Sequence, residues 1–197
     1  MLTIIDYGIG NLSSIKNMLR HIGISAQITS DIAAIAQAEK LILPGVGHFN
    51  YGMEQLHKSG LVSVLNKRVL EDKVPILGIC LGAQLLTKSS EEGSAPGLGW
   101  IDGKTIAFNK DKLTSIQKIP HMGWSNVSNY QQSKLFTNIP TEPVDCETIC
   151  PNSCISLRLK IISTGSPGLS VHPLLSNLSQ LTRTTLKALF TIGIVDL

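Results

Sequence analysis

The chain has 197 residues, 43% of them hydrophobic, with a formal net charge of +3 at pH 7. That size supports one domain with a sizeable core, and no apolar run approaches membrane-spanning length, so no membrane partner is expected. The small, dispersed charge lacks the basic stripe interleaved with aromatics that a nucleic-acid partner requires, and four cysteines in so long a chain do not make a disulfide scaffold. Met1 runs straight into an apolar stretch without a basic leader or cleavage site, which points to the cytoplasm.

Leu2 to Asp6 reads as a buried strand, and Tyr7-Gly8-Ile9-Gly10-Asn11 as a tight loop whose Asn11 caps a helix. Leu12, Ile15, Leu19 and Ile22 recur at helical spacing, and Gly23 ends that helix. Ser25 to Thr29 is a second strand, Asp31 to Ala38 a short helix, and Lys40 to Leu43 a third strand closing on Pro44. This βαβαβ order predicts an α/β fold with a mostly parallel sheet and helices on both faces. Ligands of such sheets bind beyond the carboxyl ends of the strands.

The loop Pro44-Gly45-Val46-Gly47-His48-Phe49 follows the third strand. Two glycines without a third, and without a following Lys-Ser/Thr, match neither phosphate-binding fingerprint. Beside a nucleophile, such a loop can offer a backbone N–H to an oxyanion; the equal alternative is a strand-ending turn. His48 reads as a solvated loop histidine.

Leu61 to Glu71 is amphipathic at helical spacing. The run Val74 to Gly78 then reads as a buried strand and Gly82 to Ser89 as a helix, which puts Cys80 in the sharp turn between them. Glycines on both sides permit a strained backbone, and a helix start favours a thiolate. The competing interpretation is a buried structural cysteine. Leu81 N–H would be the partner of that loop's N–H as oxyanion donor, and Gln84, four residues after Cys80, can face the same pocket and bond an amide-bearing ligand. Glu91 and Glu92 read as a solvated surface pair, in a loop closed by Ala95-Pro96-Gly97.

Asp102-Gly103 suggests a turn leading into an alternating strand, and Ile116 to Val127 a pair of short extended pieces. After Pro140 the composition changes: Ser, Thr and Leu dominate, and Phe190 is the only aromatic from Thr141 onward. Cys146, Cys150 and Cys154 lack a fourth ligand and a zinc spacing, so no metal is expected; where the tail is taken as a genuine but divergent finish, Ser179 to Ile192 is its final helix.

Four motifs in order, Ile5-Asp6-Tyr7-Gly8-Ile9-Gly10-Asn11-Leu12, Pro44-Gly45-Val46-Gly47-His48-Phe49, Gly78-Ile79-Cys80-Leu81-Gly82-Ala83-Gln84 and Pro120-His121-Met122-Gly123-Trp124, resemble the glutaminase subunits of imidazole glycerol phosphate synthases. These are class I triad glutamine amidotransferases with a flavodoxin-like domain, and the resemblance covers roughly the first two thirds of the chain. Ala83 stands where the family usually has Met, and Ser125 where Asn is usual.

The resemblance implies that Cys80 forms a thioester with glutamine, that Gly47, Leu81 and Gln84 serve oxyanion and substrate, and that ammonia passes to a cyclase partner of β/α-barrel fold. It places Pro120, Met122 and Trp124 in the subunit contact, implies no cofactor, and puts the triad base at His172. The family's acid two residues beyond is replaced by Leu174, and an aromatic-rich strand with a His-Ser pair is absent. The chain is thus expected to be a single amidotransferase domain over 1–197 whose tail, 141–197, is divergent or frame-shifted. Alternatives are a related subunit of surface-sugar synthesis, or an impaired scaffold that only binds the barrel.

Overall fold

Short apolar strands alternate with amphipathic helices through the first half of the chain, and each strand has residues for two faces. The computed structural model describes residues 1–107 and the backbone of four later strands, 121–127, 144–150, 155–156 and 192–195. In order these are β1 (Leu2–Ile5), α1 (Leu12–His21), β2 (Ala26–Thr29), α2 (Ile32–Ala36), β3 (Lys40–Leu43) and α3 (Phe49–Lys58). Next come α4 (Val62–Asn66), continued by a π turn over Lys67–Glu71, β4 (Ile76–Ile79), α5 (Leu81–Leu85), β5 (Thr87–Ser90) and β6 (Ile101–Ala107). The later strands are β7 (His121–Val127), β8 (Val144–Cys150), β9 (Ile155–Ser156) and β10 (Ile192–Val195).

The main sheet runs β10-β4-β3-β1-β2. Its four early strands are parallel, as the βαβαβ pattern requires, and β10 closes the β4 edge antiparallel with Ile192 opposite Ile79. Pleating divides the core into two layers. Ile5, Leu41, Leu43 and Ile76 join Phe49, Leu56, Leu65, Leu81 and Leu85 in one cluster; Leu2, Ile4, Ile42 and Ile79 join Leu19 in the other. So α1 covers one face, and α2 to α5 supply the other. The expected α/β fold with a mostly parallel sheet is the fold observed.

Local signals account for the helix ends. Asn11 Oδ1 accepts from Ser14 N–H at 3.2 Å, and both Asp31 carboxylate oxygens accept amides of α2. Gly23 takes a φ of +78° behind α1.

Three expectations are corrected. The helix after Cys80 stops at Leu85 instead of reaching Ser89, because Thr87 to Ser90 is drawn into β5. Thr87 Oγ1 donates to the Gln84 carbonyl at 2.7 Å, while the Leu85 and Leu86 carbonyls accept from Leu98 and Ile101 instead of continuing the helix. Asp102-Gly103 makes no turn: β6 runs through it, and the parallel register with β5 slips there, Thr87 facing Ile101 and Ser89 facing Lys104. The extra residue is accommodated as a bulge, a common use of glycine in a strand. Ile192 opens strand β10, where the final helix was expected to end; the rest of that helix lies outside the described residues. Among the described residues, no helix is long and apolar enough to cross a membrane.

Candidate active site

The carboxyl ends of β1, β3 and β4 bring three loops together around Cys80. The cysteine occupies the junction of β4 and α5 with φ 55° and ψ −120°. A side chain bearing a Cβ rarely holds a positive φ, and such strain is unfavourable by about 1–3 kcal/mol. Neighbouring glycines make the turn possible. A Cβ on Gly78 would lie 2.5 Å from the α-carbon of Ala83, and one on Gly82 would overlap the Leu43 carbonyl. Strand, turn and helix therefore pack backbone to backbone.

Cys80 is partly buried and carries no disulfide. Burial pushes its thiol above the ordinary range; the Leu81 amide, hydrogen-bonded to the sulfur, offsets part of this, and the charge of Glu92 adds to the rise. The expectation that the helix start favours a thiolate is thus corrected in its net direction, since desolvation outweighs the one N–H contributed by a five-residue helix.

The loop after β3 sits over this turn. Gly47 has φ +98° and open space where a side chain would be, and Val46 beside it is 55% exposed. His48 is exposed, as its place in the sequence suggests, and has a structural role as well. It caps α3, its Nδ1 accepting from Asn50 N–H at 3.2 Å. Glu92 departs from the expected surface pair, because its Oε2 accepts from the Phe49 amide at 3.2 Å, at the same helix start. Glu91 instead accepts from Ala107 N–H at 2.9 Å and pairs with Lys104 at 3.6 Å.

Gln84 lies on α5 in the turn that follows Cys80. Its Oε1 is buried and has no hydrogen-bond partner. An amide acceptor in that state is unfavourable by about 1–3 kcal/mol until a donor arrives.

Sequence reasoning missed two contributors. Helix α3, with its caps from His48 and Glu92, was hidden because its first residues form part of a glycine-rich loop. Tyr7 was assigned only to a turn, yet it is buried and its hydroxyl donates to the Pro44 carbonyl at 2.6 Å. Burial, with the Cys80 charge adding to it, holds its phenol far above the ordinary range. One bulky aromatic among the small residues of that loop was the available signal. His172 and Pro120 lie outside the described residues; Met122 and Trp124 fall on β7, opposite Ile149 and Glu147 of β8.

Residues 3–145 match the family described as glutamine amidotransferase class-I. The chain is 54% identical over 139 residues to imidazole glycerol phosphate synthase subunit HisH 2 of Methanococcus maripaludis, a match covering 71% of this chain and 67% of that protein. With the protein of the same name from Pseudomonas aeruginosa it shares 47% identity over 139 residues, again 71% of this chain and 67% of the other. A crystal structure of a glutamine amidotransferase aligns with a TM-score of 0.50 at 20% identity, over 63% of this chain and 62% of that one, a likeness of fold.

Proposed function

From the premise that this chain belongs to the class I glutamine amidotransferase family, we propose that it is the glutaminase subunit of an imidazole glycerol phosphate synthase, acting in histidine synthesis in the cytoplasm. It hydrolyses glutamine and hands the ammonia to a cyclase partner of β/α-barrel fold. The observation that carries this is the strained Cys80 between Gly78 and Gly82, at the carboxyl end of β4.

Cys80 Sγ attacks the side-chain carbonyl carbon of glutamine, its proton passing to a base. The oxyanion of the tetrahedral intermediate is held by the N–H groups of Gly47 and Leu81. Collapse breaks the C–N bond, the base returns the proton to the leaving nitrogen, and a thioester and ammonia result. Water then attacks the thioester, releasing glutamate and restoring the thiol. Gln84 accepts a hydrogen bond from the bound glutamine through its unpaired Oε1. A bound α-ammonium offsets the Glu92 charge that opposes thiolate formation. His172 is the proposed base, and Pro120, Met122 and Trp124 the proposed contact with the barrel. No cofactor takes part.

Leu174, in place of the acid behind His172, favours a second reading in which the chain is an impaired scaffold for its partner. Glutamate release measured with the barrel subunit present, for the unaltered chain, Cys80→Ala and His172→Ala, separates the two. An active subunit loses roughly a thousandfold or more of its kcat with Cys80→Ala. A scaffold shows no release above the barrel alone, and release that survives Cys80→Ala refutes the nucleophile. A family match ending at residue 145 supports a divergent or frame-shifted tail over 141–197, which resequencing of the gene resolves.

A further inference from the structure

The loop proposed to bind the oxyanion is anchored at both ends but not in the middle. At its far end His48 and Glu92 both bond to the first amides of α3. At its near end the chain is wrapped by the loop after β1: a Cβ on Gly10 would touch the Pro44 ring at 3.3 Å, and the Tyr7 hydroxyl donates to the Pro44 carbonyl at 2.6 Å. Gly45 is then enclosed. A Cβ there would lie 2.7 Å from Gly82 N, 2.8 Å from the Tyr7 hydroxyl and 3.0 Å from the Leu81 Cβ. Between the anchors Val46 is exposed, and Gly47 has a positive φ with open space around it.

We infer that Tyr7 is a positioning residue: its hydroxyl clamps the Pro44 carbonyl and holds the Pro44–Gly45 peptide against the Cys80 elbow, confining any adjustment of the loop to Val46 and Gly47. A trans peptide is planar, so fixing the carbonyl of Pro44 also fixes the direction of the Gly45 N–H and the place of the Gly45 α-carbon. The phenol is suited to this task because it is buried and stays protonated, and is therefore a donor throughout the working pH range. Gly45 lies between the Tyr7 hydroxyl and Leu81, so the clamp acts one residue's width from the residue that follows the nucleophile. Its effect on the reaction rests on the glutaminase proposed above; the clamp itself does not.

Tyr7→Phe keeps the ring and removes the hydroxyl, and is compared with the unaltered full chain in the presence of the barrel subunit. Amide hydrogen exchange at the enclosed Gly45 is expected to quicken roughly tenfold, the loss of about one hydrogen bond, with the other segments unchanged. The kcat for glutamate release is expected to fall roughly 10-fold to 100-fold while KM for glutamine stays within about twofold. Unchanged exchange at Gly45 overturns the clamp. Exchange that quickens across the whole chain, with a lower melting temperature and KM rising alongside, marks an ordinary packing role and also overturns it. Glutamate release that persists in Cys80→Ala sinks the glutaminase instead, and leaves the exchange at Gly45 to judge Tyr7.

Discussion

Gly82 packs its α-carbon against the carbonyl of Leu43, so that the first residues behind the nucleophile rest directly on the end of the neighbouring strand. Neither partner is a side chain that can rotate away. Gly82→Ala therefore forces β3 and α5 apart, at the upper end of the about 1–3 kcal/mol typical of overpacking. A melting temperature lower by roughly 6–12 °C follows for a chain of this size. Differential scanning calorimetry checks it, and a melt within a degree or two of the unaltered chain would show that the contact relaxes freely.

The reactivity of Cys80 is expected to rise with pH later than that of a free cysteine. Its thiol is pushed up by burial first and by Glu92 as well, so the thiolate fraction at neutral pH is lower than in an exposed cysteine. Glu92→Gln removes one of the raising causes, and the midpoint of the pH profile for iodoacetamide alkylation moves down. A midpoint that moves up, or does not move, contradicts the placement of that charge beside the sulfur.

Gln84→Met separates binding from stability. The substitution removes a buried oxygen that has no partner, so the melting temperature does not fall. It also removes the acceptor offered to glutamine, and KM rises roughly tenfold, the equivalent of one hydrogen bond. Steady-state kinetics beside a thermal melt decide the matter; a lower melt with an unchanged KM would make Gln84 a packing residue.

Asn50 ties the loop after β5 to α3, its Oδ1 accepting from Ala95 N–H at 3.0 Å while its amide group covers Gly93. Asn50→Ala leaves that loop tied to α3 through Glu92 but without the Asn50 cross-link, for a loss of about 1–2 kcal/mol. Limited proteolysis is expected to cut between residues 91 and 97 sooner than in the unaltered chain. Equal cutting rates would mean that Glu92 alone holds the loop.

Much of the fold was legible because its signals are local. The period of α1, the caps at Asn11 and Asp31, and the strands β1 to β4 all follow from neighbouring residues. Cys80 was legible for the same reason, since the strand, two glycines and helix start that define its turn lie within a few positions of one another. The errors fall where distant residues decide. Thr87 to Ser90 has helical neighbours, yet β6 captures it from beyond a loop. Glu92 looks solvated in isolation, yet it is half-buried and accepts from the first amide of α3, an element far from it in sequence. The net rise in the Cys80 thiol comes from burial under the assembled sheet, which no local pattern records. Tyr7 belongs to the same group, its partner Pro44 lying on a different strand end.

The placement of β10 beside β4 has a consequence for the newly made chain. Ile76 to Ile79 have their parallel partner β3 as soon as both are synthesised, but their outer edge waits for Ile192 to Val195. Roughly a hundred residues separate the two strands, so at about 5–20 residues per second the edge next to the nucleophile stays unpaired for roughly 5–20 s on the ribosome. An apolar strand edge left open that long is an invitation to pair with another nascent chain, and synthesis speed through the later segment governs how much protein escapes aggregation.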